Sequence, residues 1–586
     1  MRLQQGNPDV FNEVLDAVDA SKRLDSGSLA SMIEAFDGIP TGPEDVEFPD
    51  TVGRAYDQVL TWLAERSGKK GGEFHTPRSV CQLLVRLINP EAGQAVCDPF
   101  AGTGGTLLQS RQYVSENSGG EASLALFGQE INMLTWATAR INLMLHGLAN
   151  GSLLRGDTLA DPLHKSTEGT LLRFDRVLTN PPFGMNYAGS RIRYPERMKY
   201  GWAPGQGKRA DLMSLQHVLA VLKPDGIGAV VAPHGVLFRG GAEAGVRRAI
   251  LEDNRLEAVI GIGPNVFHGT AIPACILVVR GTGAPADGGQ GPVLFINAEQ
   301  EITTGRSQNK LDPQHVEKIA RTFRSKLEIT GFSRLASLAE IADNEFNLNI
   351  GRYVESGPVG EVPVDISATL YGGVPRAEVE AIGPWFKAFD IDIAQLFQSR
   401  GSGCLDFLDG EYEETASRIR EAAAPRERAI TEKCHEWWET AATLIIELAG
   451  NRRLMTAREK LLASFCTKLL PVGVLNRDQL AGVFAIWWSD HHDDLRRLDY
   501  YGLKAAHAQS SGATPSGGDL LTSLVEDLCA RVENLVGRER QALEEKCRAW
   551  FVRYGVSLAD LEQQCEAAAM RRKARLKDLG FGTLRS

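Results

Sequence analysis

The sequence predicts an α/β protein: a Rossmann-like domain at residues 51–355, preceded by a short helical segment at 1–50 and followed by a helical region at 356–586. Three observations support this class. Short apolar runs in the central part end in acidic or polar residues, a glycine-rich turn follows one of them, and the last part has apolar residues at helical spacing. A chain of 586 residues is also too long for one hydrophobic core, so two or three domains are expected.

The glycine-rich turn is the first element of the predicted site. It follows a short strand-like run and reads Asp-Pro-Phe-Ala-Gly-Thr-Gly-Gly. Glycines allow positive φ and a close approach of the backbone to a ligand. A P-loop would need Gly-Lys-Ser/Thr, and the dinucleotide fingerprint would need Gly-x-Gly-x-x-Gly, so neither fits. The turn instead resembles the S-adenosylmethionine loop of amino-methyltransferases, and a plain strand–helix connection is the weaker alternative. On this resemblance the cofactor-binding residues are Asp98, Gly102, Thr103, Gly104 and Gly105.

Two later carboxylates and one earlier segment extend this cofactor site. A second apolar run ends in Glu130, where nucleoside-binding sheets place a carboxylate for the ribose hydroxyls. Asp157 ends a third short element and is predicted to face the adenine moiety of the cofactor. An ordinary surface carboxylate is an equal alternative for each. Phe74 is predicted to pack on the cofactor, while Thr76 and Pro77 fit both the cofactor site and the N-cap and first turn of a helix.

The tetrapeptide Asn180-Pro181-Pro182-Phe183 is the predicted catalytic element. It follows the apolar run Phe174 to Leu178, which is typical of a buried strand. The prolines restrict the backbone, so the Asn180 side chain and a nearby carbonyl can be held rigidly as two hydrogen-bond acceptors. Two such acceptors would localise the lone pair of a planar exocyclic amine, and the amine nitrogen could then receive a methyl group. Phe183 offers a flat face for a base. A strand-terminating turn is the alternative.

Together these motifs resemble the modification (methyltransferase) subunit of type I restriction–modification systems, a family of adenine-N6 DNA methyltransferases. The match is dense over residues 50–355 and includes Gly72–Pro77, Asp98–Gly105, Asn180–Phe183 and the closing segment Asn344–Tyr353. The resemblance implies a site-specific DNA methyltransferase that uses S-adenosylmethionine and acts on adenine N6 in duplex DNA. The adenine would be flipped out, because its amine cannot be reached within the stack. It also implies a separate specificity subunit as the partner that selects the target.

The N-terminal part departs from the family pattern. His75 stands where the family usually has Tyr or Phe. Residues 1–71 precede the Gly-Glu-Phe segment, whereas the family usually carries a larger helical domain there. The segment 1–50 is therefore expected to be truncated relative to the family.

Composition agrees with a cytoplasmic protein. The sequence contains no run of eighteen apolar residues and no cationic–apolar leader, so neither a membrane span nor a signal peptide is expected. Nine cysteines are scattered without a Cys-x-x-Cys pair, so the sequence indicates neither a metal site nor a disulfide framework. The Asp490–Asp494 cluster, which contains two histidines, is better explained as a solvated helix end than as a metal site.

Charge distribution bears on how the chain would meet DNA. The formal net charge is −10, whereas proteins that grip DNA alone are more often basic, so another subunit is expected to supply much of the grip. A basic and aromatic segment follows Phe183 and could line a channel for a flipped nucleotide. A solvated loop is an equal alternative. The segment comprises Tyr187, Arg191, Arg193, Tyr194, Arg197, Lys199, Tyr200, Trp202, Lys208 and Arg209.

The region after residue 356 is predicted to be helical. Two Glu-, Arg- and Ala-rich stretches, 411–449 and 520–579, have apolar residues at helical spacing and are separated by a flexible linker at 508–518. The pairs Trp437-Trp438 and Trp487-Trp488 are interpreted as packing residues. By analogy with the family, this region is the predicted contact with the specificity subunit. A second copy of the chain and a restriction subunit are further candidate partners.

Two other functions are alternatives to this one. The first is a methyltransferase for a different planar amine, an RNA base or a protein glutamine; such enzymes usually carry Asn-Pro-Pro-Tyr and lack a long helical tail. The second is a catalytically silent subunit that binds cofactor only to assemble a complex. The presence of all the motif residues argues against the second alternative.

Overall fold

The structure, a computed structural model, describes residues 53, 55–56, 58–60, 62, 76–118, 123–148, 151–203, 209–267, 272–283, 291–306, 308–355, 365–401, 403–447, 454–505 and 517–579. The predicted N-terminal segment 1–50, Phe74, Lys208 and most of the predicted linker lie outside these residues. The described residues divide into two compact units, one within the ranges Met1–Gly357 and Asn451–Thr456 and the other within Pro358–Gly450 and Ala457–Ser586.

The first unit is built on a mixed sheet. Within the described residues its nine strands are β1 (Ala95–Asp98), β2 (Ala125–Glu130), β3 (Ser152–Arg155), β4 (Phe174–Thr179), β5 (Leu222–Pro233), β6 (Leu256–Ile262), β7 (Ala274–Arg280), β8 (Val293–Ala298) and β9 (Ser333–Ala336). Their spatial order is β3-β2-β1-β4-β5-β7-β6-β8-β9. β1 to β5 pair in parallel, β7 runs antiparallel between β5 and β6, and β9 pairs antiparallel with β8. The predicted α/β class is confirmed.

Helices cover both faces of this sheet. They are α1 (Arg78–Ile88), α2 (Gly105–Ser118), α3 (Met133–Leu145), α4 (Asp211–Val221), α5 (Ala242–Glu252), α6 (Pro313–Arg324) and α7 (Leu338–Asp343). One apolar core joins the sheet to α1, α2, α3 and α6, and a second joins it to α4, α5 and α7. Covering on both faces explains why β6 and β7 read as continuous apolar runs rather than as alternating ones.

The order of the strands positions the site. The chain moves outward from β1 through β2 to β3 on one side, and from β4 to β5 on the other. The reversal therefore lies between β1 and β4. In open α/β sheets, ligands bind beyond the carboxyl ends of the strands at such a reversal.

The second unit is mainly helical. Its helices are α8 (Ile366–Tyr371), α9 (Arg376–Ala381), α10 (Gly383–Ala388), α11 (Tyr412–Glu447), α12 (Leu454–Leu469), α13 (Arg477–Asp490), α14 (His492–Ala505), α15 (Gly517–Tyr554) and α16 (Leu558–Asp578). Three short strands, β10 (Val374–Pro375), β11 (Phe397–Gly401) and β12 (Cys404–Phe407), form a small antiparallel sheet in the order β10-β12-β11. The predicted helical character of this region is confirmed.

The long helices α11 and α15 pack through an aromatic and aliphatic interior. Trp437, Trp438, Trp487 and Trp488 are all buried, which confirms their predicted role in packing. The indole of Trp487 also donates to the Leu524 carbonyl on α15 at 2.9 Å, so its polar atom is satisfied. Among the described residues, no helix combines the length and apolar character that crossing a membrane requires.

Candidate active site

The predicted site residues follow the carboxyl ends of neighbouring parallel strands. Asp98 is the last residue of β1, Glu130 is the last residue of β2, and Asn180 directly follows β4. Because β1 lies between β2 and β4, these ends meet at one edge of the sheet, beside the reversal in strand order. Asp157 follows β3 and lies further along the same edge. The structure therefore brings the described candidates from four strands together.

Asp98 is buried beneath this edge, with 1% of its surface exposed. Its Oδ1 accepts hydrogen bonds from the Thr179 hydroxyl at 2.6 Å and from the Phe100 amide at 3.0 Å, and its Oδ2 accepts one from the Thr106 hydroxyl. Burial raises the pKa of Asp98 to about 6, although these three donors oppose the rise. Asp98 thus fixes the glycine turn from the buried side through its hydrogen bonds to Phe100 and Thr106.

The glycine turn needs its glycines for conformational reasons. Gly102 and Gly104 have φ of +52° and +81°, in the left-handed region that residues with a Cβ rarely adopt. The Gly104 amide donates to Ala101 at 2.8 Å, and Gly105 begins α2. Thr103 is buried, and its carbonyl accepts from Asn142 on α3 at 3.1 Å. The turn is thereby held in one conformation directly before the N-terminus of α2, a position that suits a ligand with polar or charged groups.

Glu130 connects the glycine turn to the next strand. One carboxylate oxygen accepts from the Gly102 amide at 3.1 Å, and the other accepts from the Asn132 amide at 2.8 Å. Asn132 in turn caps α3 by accepting from the amides of Leu134 and Thr135. Burial raises the pKa of Glu130, and the amide donors oppose that rise. The carboxylate is half-buried, so it can still meet a ligand from the solvent side.

Asp157 is exposed at the end of the row. Its Oδ1 accepts from the amides of Leu159 and Ala160 at 3.0 and 3.1 Å, which closes a local turn. The adjacent Thr158 is buried, and its hydroxyl donates to the Pro99 carbonyl in the glycine turn. The Asp157 segment is therefore tied to the glycine turn by a residue that the sequence did not indicate.

Asn180 carries the most informative geometry of the site. Only 5% of its surface is exposed, and its Nδ2 donates to the Thr76 hydroxyl at 3.1 Å. Its Oδ1 is buried and has no hydrogen-bond partner in the part of the chain that the structure describes. Because buried polar atoms are normally paired, an open acceptor at this place is consistent with a site for a donor on a ligand.

The contact with Asn180 corrects one prediction. Thr76 does not cap a helix: α1 begins at Arg78, Pro77 occupies the N-cap position, and no side chain caps the helix. The Thr76 hydroxyl instead accepts from Asn180 and so fixes the orientation of that amide. A helix that starts with Pro at the N-cap has no side-chain oxygen to offer its first amides, so the threonine remains available for the site.

The rest of the tetrapeptide lies against the core. Pro181 is buried, and Pro182 and Phe183 are half-buried. The Phe183 ring packs edge-to-face on Phe267, with 5.8 Å between ring centroids. This contact fixes the ring plane, while the partial exposure of Phe183 leaves part of the ring accessible to a ligand.

A buried ion pair holds the backbone that follows Phe183. The Gly184 amide donates to Asp211 Oδ1 at 2.8 Å, and Asp211 Oδ2 lies 3.2 Å from Arg239 Nη1. Gly184 has φ of +63°, so glycine suits the turn at this position. Asp211 and Arg239 support the site, but their role depends on contacts between distant segments and had no local signal in the sequence.

The basic and aromatic segment after Phe183 is largely structural where it is described. Arg197 is buried, donates to the carbonyls of Thr158, Leu159 and Arg193, and has its pKa lowered by burial to about 10. Lys199 pairs with Asp253 at 2.9 Å. These contacts occupy two of the cations that we expected as candidates for a nucleotide channel. Arg191 and Arg193 are exposed, and Arg193 pairs with Asp161 at 3.2 Å.

Comparison with known proteins identifies relatives that share this site region. The family described as N-6 DNA Methylase matches residues 47–361. The type I restriction enzyme MpnII methylase subunit of Mycoplasma pneumoniae is 31% identical over 338 residues, which are 56% of this chain and 61% of that protein. The MjaIX methylase subunit of Methanocaldococcus jannaschii is 29% identical over 367 residues, which are 60% of this chain and 64% of that protein.

A solved structure agrees with these relatives. The type I restriction-modification system methyltransferase subunit from Streptococcus thermophilus is 33% identical, with a TM-score of 0.51 over 56% of this chain and 69% of that chain. The matched segments span less than two thirds of the two curated relatives. They confirm the resemblance to type I modification subunits that the motifs indicate. The matched family covers more than half of the residues, and the chain therefore belongs to the N-6 DNA methylase family.

Proposed function

We propose that this chain is the modification subunit of a type I restriction–modification system. In this role it transfers a methyl group from S-adenosylmethionine to the N6 amine of adenine in duplex DNA. The observation that carries the proposal is the open acceptor of Asn180. The amide is buried, its nitrogen is held by Thr76, and its oxygen has no hydrogen-bond partner among the described residues. Such an oxygen suits an N–H group of the target amine.

The chain's own residues would act by alignment. Asn180 Oδ1 and the Pro181 carbonyl would accept hydrogen bonds from the two N–H groups of the amine. Phe183, with Pro182 beside it, would support the flipped base. S-adenosylmethionine supplies a methyl group that its sulfonium has already activated. The site therefore needs rigid acceptors and a fixed base more than it needs a strong acid or base. The contacts from Thr76 to Asn180 and from Phe267 to Phe183 support this rigidity.

The cofactor would bind along the row of strand ends. The glycine turn leads into the N-terminus of α2, and Glu130 offers carboxylate lone pairs beyond the two hydrogen bonds that it already accepts. Asp157 is exposed at the end of the row, where the adenine moiety would lie. The remaining proposed contacts are Phe74, Thr76, Pro77, Asp98, Gly102, Thr103, Gly104 and Gly105, of which Asp98 would act through the turn because it is buried.

The helical region 356–586 is proposed as the contact with a specificity subunit. None of the residues of α16, all of which the structure describes, is buried. At 3.6 residues per turn, its leucines lie on one side of the helix and form a partly exposed apolar face. Their exposed fractions are 46% for Leu558, 46% for Leu561 and 41% for Leu576, and the C-cap residue Leu579 is 71% exposed. A helical partner fits such a face, and the net charge of −10 agrees with a partner that supplies DNA affinity.

Further elements of the proposal follow from the family resemblance. A second copy of the chain and a restriction subunit would complete the assembly, and the complex would work in the cytoplasm.

The test is methyl transfer to unmethylated duplex DNA by the chain co-expressed with its specificity subunit, followed by nucleoside analysis. N6-methyladenine is the expected product. Asn180→Ala should lower the transfer rate by about 10²–10³-fold, because a preorganised polar contact to the reacting group is lost. Its affinity for S-adenosylmethionine should stay near that of the unmodified chain.

Asn534→Ala is a matched control, because Asn534 is an exposed residue on α15. It should retain full activity. Wild-type activity in Asn180→Ala would refute the role of Asn180. Methylation of RNA or protein instead of DNA would refute the proposed substrate, and cofactor binding without any methyl transfer would favour a silent assembly subunit.

A further inference from the structure

One carboxylate contacts both halves of the proposed site. Asp98 accepts from Phe100 in the glycine turn and from Thr106 in the first turn of α2, which lie on the cofactor side. It also accepts from Thr179, the last residue of β4, which lies directly before Asn180 on the side of the target amine. The two halves are thus joined through one side chain.

The hydrogen bonds that join the two halves through Asp98 are buried, and this makes the link between the halves rigid. Thr179 is fully buried, and Asp98 has 1% of its surface exposed. The hydroxyl of Thr179 lies 2.6 Å from Asp98 Oδ1. Hydrogen bonds to an ionised carboxylate are shorter and stronger than bonds between neutral groups, and solvent does not compete with this one.

We propose that Thr179 is a positioning residue that couples the glycine turn to Asn180 through Asp98. The inference rests on the proposed methyl transfer. In that reaction Asn180 would hold the target amine, and the glycine turn would hold the cofactor, so the two segments need a fixed relative position. A β-branched residue at Thr179 fills the same space with or without a hydroxyl, so its hydroxyl can be tested separately from its bulk.

The coupling requires an ionised Asp98, because a protonated carboxyl has one acceptor fewer for its three donors. Burial raises the pKa of Asp98 to about 6, and the hydroxyl of Thr179 opposes that rise. Removing the hydroxyl should therefore raise the pKa further. The ionisable neighbours are Cys97 on the same strand and Glu130 on β2; the charge of Asp98 contributes to raising the pKa of each. Neither receives a hydrogen bond from Thr179.

The experiment compares Thr179→Val with Thr179→Ser in the complex with the specificity subunit. Single-turnover methyl transfer is measured at saturating S-adenosylmethionine between pH 5 and pH 8. Thr179→Val should be slower by roughly 10–100-fold, because a small displacement of an aligned group is costly. The acid limb of its pH profile should move to higher pH, whereas Thr179→Ser should restore both the rate and the profile.

Thr322→Val is the matched control. Thr322 is a fully buried threonine on α6, and its hydroxyl has no hydrogen-bond partner among the residues described by the structure. This variant should match the unmodified chain in rate and in pH profile. A wild-type rate and profile in Thr179→Val, or an equal loss in Thr179→Ser, would overturn the proposal.

A second variant covers a failure of Thr179→Val to fold. Thr106→Val removes the other hydroxyl donor to Asp98 and should move the acid limb in the same direction. An unmoved acid limb in Thr106→Val would then overturn the coupling. If the unmodified complex forms no N6-methyladenine, the proposed function fails instead, so the two failures can be told apart.

Discussion

The two units use their buried side chains in different ways. In the first unit, buried polar residues such as Asp98, Asn180 and Asp211 bridge the segments that follow strand ends. In the second unit, the interior is dominated by aromatic rings. The ring centroid of Phe484 lies 5.3 to 6.4 Å from the ring centroids of Trp437, Phe465, Trp487 and Trp488. Turns without a repeating backbone pattern need specific hydrogen bonds, whereas helices satisfy their own backbone and need mainly apolar contacts.

Two helices of the second unit differ in how far they bury their apolar side chains. α15 buries Leu524, Leu528, Val532 and Leu543 against neighbouring helices. α16 follows it after a short break, and none of its residues is fully buried. Similar leucines are therefore fully buried in one helix and partly exposed in the next.

The largest expected effect is on the aromatic interior. Trp487→Ala should lower the free energy of unfolding by about 3–5 kcal/mol, because it removes a fully buried ring and leaves a cavity. Chemical denaturation followed by circular dichroism measures this loss. Trp385→Ala is the control, since Trp385 is 39% exposed and should cost much less. Equal losses in the two variants would show that burial does not distinguish these rings.

The partly exposed apolar face of α16 should behave in the opposite way. The double variant Leu561→Ser with Leu576→Ser should change the free energy of unfolding by no more than about 0.5 kcal/mol, because both side chains are exposed. Its affinity for the specificity subunit should fall at least about tenfold, since apolar contact area is lost. Co-purification and titration calorimetry measure the binding.

Leu408→Ser is the control for this variant, because Leu408 is 40% exposed and lies outside α16. It should bind the specificity subunit as the unmodified chain does. Full binding by the double variant would remove α16 from the proposed interface.

The smallest expected effect concerns the histidine that follows α13. Asp494 and then Asp527 raise the pKa of His491, whose Nε2 lies 2.8 Å from Asp527 Oδ2 on α15. A raised pKa in the folded state stabilises the fold below the unfolded value of about 6.5, and this contribution is lost as pH rises through the folded pKa. His491→Gln should therefore cost no more than about 1 kcal/mol at pH 6 and less at pH 8.5.

Denaturant titrations of the unmodified chain and of His491→Gln at these two pH values measure the difference. An equal loss at both values would mean that packing, rather than charge, explains the role of His491.

The sequence predicted those parts of the site that depend on local pattern. Glycine at positions 102 and 104, a carboxylate at 130 and the sequence Asn-Pro-Pro-Phe all mark the ends of apolar runs, and the structure places each of them at the end of a strand or after it. Asn180 and Thr76 are 104 positions apart, so no local pattern could indicate their hydrogen bond. The same holds for Thr179 and Asp98, which are 81 positions apart.

The helical region illustrates a second limit. Apolar spacing predicted helices over 411–449 and 520–579, and the structure has α11, α15 and α16 there. Spacing describes which side chains share a face, but it does not indicate whether another part of the chain covers that face. The difference between α15 and α16 therefore became visible only in three dimensions.

The antiparallel direction of β7 affects how the proposed base site beside Asn180 could change in size during evolution. β6 ends at Ile262, and β7 begins at Ala274, its paired residue, so the connection starts and finishes at the edge that carries Asn180. Phe267 from this connection supports Phe183. A parallel neighbour would have required a crossover to the far edge. A connection between antiparallel neighbours can gain or lose residues without disturbing the strands, so this connection is where the dimensions of the proposed base site could evolve independently of the proposed cofactor site.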